Sequence, residues 1–208
     1  MSRLPKAKWL KSTGLDGALA ALVGGDLVAA FPPRLASILD DIDACLRAKL
    51  WYPAITVALT LPDICSGLLL DRSKFVKREH YVAFVDEFLD KKKCSISGER
   101  CFMLRGGVVH KGTASSHPHL DASHVVFWIP EGDRASMHDF WLEGDGDRAL
   151  VLDVFKFVEA MKDAVYAWHK KHGTDAIVMS KVNEIMSVRP NGIRKLIGGA
   201  PVVASGPD

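Results

Sequence analysis

The chain has 208 residues, 48% of them apolar and 25% charged, with 27 basic side chains against 25 acidic ones. That length and balance suit one folded domain with a sizeable core; they exclude a disordered chain and leave two full domains cramped. A formal charge of +2 excludes general attraction to nucleic acid or an anionic membrane, so binding of that kind has to come from a local patch.

Residues 1–14 read as a flexible basic lead carrying Arg3, Lys6, Lys8 and Lys11. Asp16 and Asp26 interrupt the apolar stretch that follows, and no small-residue cleavage site is evident, so a secretory signal is not expected. A first helix is expected from about Leu15 to Phe31, weakened by Gly24 and Gly25. Pro33 suits the first turn of a second helix, on which Leu35, Ile38, Leu39, Ile42, Leu46 and Leu50 form an apolar stripe.

The segment Pro53 to Leu70 is apolar almost all round and predicts the central, buried helix. The apolar run from Ala54 is too short to sit comfortably in a bilayer, and Pro62 and Asp63 interrupt it, so no membrane span is expected. Thr56, Thr60, Asp63 and Gly67 share one narrow polar face. A carboxylate on a buried helix requires a basic partner or a ring of donors, either as a structural ion pair or as the organiser of a site. Residues 78–89 form an amphipathic helix with Tyr81, Phe84, Val85, Phe88 and Leu89 inward, followed by Lys91, Lys92 and Lys93. Ser97 is placed to cap the next helix, which carries Arg105 to His110.

Past Gly112 the pattern changes. A polar loop leads to Val125–Ile129, and a turn at Gly132 and Asp133 leads to a second candidate strand, Met137–Leu142. The expectation is a β-hairpin at about 123–142, inserted in a helical domain of residues 15–175. A long helix is expected after Asp147, with Val151, Val154, Val158, Met161, Val165 and Trp168 as a core seam or a self-association face. Residues 176–208 read as a weakly structured tail with one helical stretch near 182–188. Cys45, Cys65, Cys94 and Cys101 show no metal-type pairing, and reduced thiols are the simpler reading.

One constellation carries candidate chemistry. Arg105 and His110 lie five positions apart near a helix end, separated by Gly106 and Gly107, and two adjacent helical glycines call for a close approach by a partner helix or a phosphate. On an ideal helix the two side chains diverge by about 140°, so convergence within one chain is not expected. A second chain, or a helix end at the glycines, would bring them together.

The spacing Arg105, four residues, His110 on a helix of a mainly α protein resembles the signature of the HEPN superfamily. The similarity extends through Tyr52-Pro53-Ala54, Pro62-Asp63-Ile64-Cys65, Ser97-Gly98-Glu99 and His110-Lys111-Gly112 to an uncharacterised bacterial set of like layout, over about residues 35–170. The resemblance implies a HEPN-like helical bundle and a homodimer. It also implies metal-independent RNA cleavage in a defence or toxin setting, with His110 as general acid or base and Arg105 stabilising phosphate charge; Asp63, Gly106 and Gly107 are supporting positions by their own chemistry and placement, apart from the resemblance. A cytoplasmic location, an antitoxin-like protein partner and no cofactor or metal accompany that reading. Gly106 departs from the family pattern, which often has a polar residue there.

Two alternatives stand beside it. In one, the same groove is a non-catalytic module binding a nucleotide, RNA or a protein, with Arg105 paired to Asp63 and His110 capping the helix end. In the other, His110, His117, His119 and His124 with Asp121 hold zinc. Trp128, Trp141 and Phe127 near the hairpin are either RNA-stacking or, more simply, core.

Overall fold

The computed structural model describes residues 29–114, 124–193 and 195–206. The basic lead and nearly all of the expected first helix lie outside these residues; 29–31 are non-helical. The fold is mainly α, with six helices and small sheets among the described residues.

Helix α1 (Pro33–Arg47) starts at consecutive prolines and buries Leu35, Leu39 and Ile42. Helix α2 (Trp51–Leu69) is the central element, burying Ala54, Ile55, Ala58, Leu59, Leu61, Cys65 and Leu68 against α1 and its other neighbours. By length and composition α2 is apolar enough to cross a membrane; half of its apolar window is buried inside this fold. Helix α3 (Arg78–Phe88) contributes Tyr81, Phe84 and Val85, and the Tyr81 hydroxyl donates to the Leu59 carbonyl at 2.9 Å. Helix α4 (Gly98–Lys111) begins at Ser97, whose Oγ accepts from the Arg100 N–H, and ends at Gly112 in the left-handed conformation.

The sheet differs from the expected hairpin. Strands β1 (His124–Trp128), β2 (Phe140–Gly144) and β3 (Asp147–Asp153) are ordered β1-β3-β2, with β1 parallel and β2 antiparallel to β3. The expected partners at 123–142 are therefore not neighbours. The tight turn is instead Asp145-Gly146, where both residues have positive φ, the geometry that suits a twisted two-residue hairpin.

The expected helix after Asp147 begins seven residues later, as α5 (Val154–His172). Asp153 ends β3 and caps α5, its Oδ1 accepting from the N–H groups of Phe155 and Lys156 at 2.9 and 3.2 Å. Val151 belongs to the strand, while Val154, Val158, Met161, Val165 and Trp168 are buried against the rest of the chain. The seam is thus core and not a free self-association face.

The tail also departs from expectation. Helix α6 (Ala176–Val182) precedes the anticipated stretch, and Ser187–Arg189 is a strand, β4, paired with β7 (Val202–Ala204). Two short strands between them, β5 (Gly192–Ile193) and β6 (Ile197–Gly198), pair with each other. Arg34 ties this tail to α1 by donating to the carbonyls of Ile185 and Gly206 at 3.0 and 2.9 Å.

Near the end of α5, His169 is 5% exposed, packs edge-on to Phe31, and has a buried Nε2 with no partner among the described residues. Burial pushes its pKa down, so the native state refuses a proton that the unfolded chain accepts. Stability supported by neutral His169 is present above about pH 6.5 and is lost as the pH falls below that value. Urea denaturation at pH 7.5 and 5.5 should show a drop in midpoint for the native protein, and a smaller drop for His169→Phe. An equal drop in both would remove His169 from the cause.

Candidate functional site

The polar face of α2 is bonded to α4 through Asp63. Thr60 Oγ1 donates to its own helix, at the Val57 carbonyl, and Thr56 Oγ1 is buried with no partner among the described residues. Asp63 crosses to α4: its Oδ2 accepts from Arg105 Nε at 2.8 Å and lies 2.7 Å from Arg105 Nη2. The basic partner expected for a carboxylate on the central helix is therefore present, and the two side chains are 20% and 22% exposed. Burial raises the Asp63 pKa, opposed by the hydrogen bond and charge of Arg105 and by the charge of His110. The Arg105 guanidinium also lies over the rings of Phe102 and Tyr81, 5.6 and 5.9 Å from their centroids.

Arg105 and His110 converge within one chain, contrary to expectation: Nη1 and Nε2 are 3.3 Å apart. On an ideal helix the two side chains diverge by about 140°, and the long arginine side chain spans that gap. The arc of the helix between them carries Gly106 and Val109; at Gly106 an added Cβ would meet nothing within 4 Å outside its chain neighbours and the helix's own backbone. A guanidinium only donates, so in this contact His110 Nε2 is the acceptor. The imidazole is solvent-exposed while its arginine is held from behind by Asp63. The helix end itself is closed by Gly112, and His110 turns to Arg105.

The two glycines have different roles. At Gly107 the close approach comes from the chain's own turn: the Thr113 carbonyl oxygen lies 2.6 Å from where a Cβ would stand, and the Thr113 N–H donates to the Gly107 carbonyl at 3.1 Å. Gly106 has no such neighbour among the described residues. Gly107→Ala should therefore destabilise by about 1–3 kcal/mol, whereas Gly106→Ala should stabilise by about 0.5–1 kcal/mol. Chemical denaturation of the two variants checks this; equal effects would contradict the assignment.

Tyr52, at the start of α2, is a neighbour that sequence reasoning did not single out as a site residue. Its hydroxyl donates to the Val108 carbonyl at 2.9 Å, bracing the last turns of α4. No local signal could have paired residues 56 positions apart. Of the zinc alternative, His117, His119 and Asp121 lie outside the described residues, and His124 opens β1 as an exposed residue. Among the described residues, no group of three or more His, Cys, Asp or Glu is placed to hold a metal. The aromatic residues do not pair across a hairpin. Phe127 packs on Phe157, Trp128 Nε1 donates to the Ala135 carbonyl, and the Trp141 ring has the guanidinium groups of Arg100 and Arg148 at 5.2 and 4.1 Å from its centroid.

Comparison of the chain with protein-family models, curated proteins and solved structures finds no match in any of the three.

Proposed function

We propose that this chain is a HEPN-type, metal-independent RNA endonuclease whose reaction centre is Arg105 and His110, working as a homodimer in a bacterial defence or toxin setting. The observation that supports it is the 3.3 Å contact between Arg105 and His110, with Arg105 braced by Asp63 and His110 open to solvent.

The chemistry follows from the atoms present. Substrate phosphate would draw the Arg105 Nη1 donor to a non-bridging oxygen, freeing the Nε2 lone pair. His110 would then take the proton of the ribose 2′-hydroxyl while O2′ attacks phosphorus. The O2′–P bond forms, the P–O5′ bond breaks, and the departing O5′ takes up the proton that His110 received from the 2′-hydroxyl, returning the imidazole to its starting state. The products are a 2′,3′-cyclic phosphate and a 5′-hydroxyl. Incubation with mixed RNA in excess chelator tests this: cleavage by the native protein and none by His110→Ala is the expected result, and equal behaviour of the two would contradict it.

A specific observation favours a second reading, the non-catalytic module. Arg105 directs Nε and Nη2 to Asp63 in a largely buried pair, which is also how a purely structural arginine is held. That reading predicts RNA or nucleotide binding without turnover.

A further inference from the structure

We infer that a cleft between the α3–α4 connection and the start of α5 binds a hydroxylated phosphate monoester of sugar-monophosphate size. This inference does not depend on the ribonuclease reading. The cleft has a volume of about 330 Å³ and is lined by Lys92, Lys93, His138, Lys156, Glu159 and Ala160. Its size lies at the small end of the range of ligand sites.

The walls are held by a polar network. His138 Nε2 faces the Lys93 carbonyl at 2.8 Å, and its Nδ1 accepts from the Asp153 N–H at 3.0 Å, so Nε2 carries the proton and donates. One imidazole thus joins the lysine-bearing connection to the cap of α5. Ser136 Oγ donates to Asp153 Oδ2 at 2.6 Å, and Asp139 accepts from the Ser95 N–H and hydroxyl at 2.7 and 2.8 Å. These bonds fix the loop before β2 against both walls and pre-organise the cleft.

Charge sets the ligand class. Lys93 is paired with Asp163 at 2.7 Å. Lys92 and Lys156 are exposed and have no carboxylate within ion-pair distance among the described residues. Two ammonium groups not engaged in ion pairs answer one phosphoryl dianion. Glu159, on the same wall, would repel a second phosphoryl group and accept hydrogen bonds from hydroxyls. A monophosphate carrying hydroxyl groups satisfies both ends, and a polyphosphate does not.

Isothermal titration calorimetry of the full chain at low salt tests this with ribose 5-phosphate, ribose, inorganic phosphate and pyrophosphate as probes. Saturable 1:1 binding of ribose 5-phosphate, tighter than inorganic phosphate or pyrophosphate and undetectable for ribose, is expected. Lys92→Ala/Lys156→Ala should weaken it by roughly tenfold or more, whereas Lys170→Ala, an exposed lysine elsewhere on α5, should leave it unchanged. Thermal melts confirm that each variant is folded. Absence of saturable binding, equal weakening in the Lys170 variant, or pyrophosphate binding more tightly than ribose 5-phosphate would each overturn the inference.

Discussion

Replacing His110 with alanine is expected to lower the rate of RNA cleavage by about 10²–10⁴-fold while leaving the fold intact. The side chain is exposed and touches the protein chiefly through Arg105, so its loss should change stability by no more than about 0.5 kcal/mol. Arg105→Ala should differ in kind. It removes the donors aimed at phosphate and also strands Asp63, a carboxylate only 20% exposed, so activity falls together with a loss of about 1–3 kcal/mol of stability. Arg105→Lys keeps the charge but not the fork that reaches Asp63 and His110 at once, and should not restore the rate.

Mixing the two alanine variants adds a geometric test. With Arg105 and His110 acting within one chain, neither partner of a mixed dimer holds a complete pair, and activity should not return. Recovery on mixing would place the working pair across two chains. Full activity of His110→Ala by itself would move the chemistry elsewhere.

The largest effect on stability is expected at Trp168. It is fully buried in the core seam of α5, its ring 5.5 Å from that of His172. Trp168→Ala should lower stability by about 3–5 kcal/mol, because the surrounding helices cannot collapse fully into the space left. For a chain of this size, that shifts the melting temperature by roughly 10–15 °C. Trp168→Phe gives the contrast. Trp168 Nε1 is buried without a partner among the described residues, so phenylalanine removes an unsatisfied donor while keeping much of the packing. It should cost about half as much as alanine or less. Equal losses in the two variants would show that the indole N–H, and not the ring volume, holds the site together.

Much of the helical framework was legible because helix periodicity is a local property. The spacing of Leu35, Leu39 and Ile42, and of Tyr81, Phe84 and Val85, marks buried faces directly. Ser97 and Gly112 bracket α4 by their own chemistry. The need of Asp63 for a basic partner followed from the cost of burying a carboxylate, and Arg105 answers it. The sheet was harder to read. Val151, Val154 and Val158 share a helical spacing although the first lies in β3, so the strand merged into the helix that follows it. The decisive signals were present, in Asp145-Gly146 as a hairpin turn and Asp153 as an N-cap, but the earlier Gly132-Asp133 pair competed with them.

The contact between Arg105 and His110 could not be read from backbone angles, because it depends on how far a guanidinium extends from its own Cα across the helix surface. The lysine cleft was equally hidden: it draws on the α3–α4 connection, the loop before β2 and the start of α5, which meet only in the folded chain. The short strands of the tail carry too few residues for a period of two to register.

The most direct test of the central claim is end-group analysis of RNA incubated with the purified native protein in excess chelator. Fragments ending in 2′,3′-cyclic phosphate and beginning with 5′-hydroxyl are the expected result. Intact RNA, or fragments with 5′-phosphate ends, would contradict it.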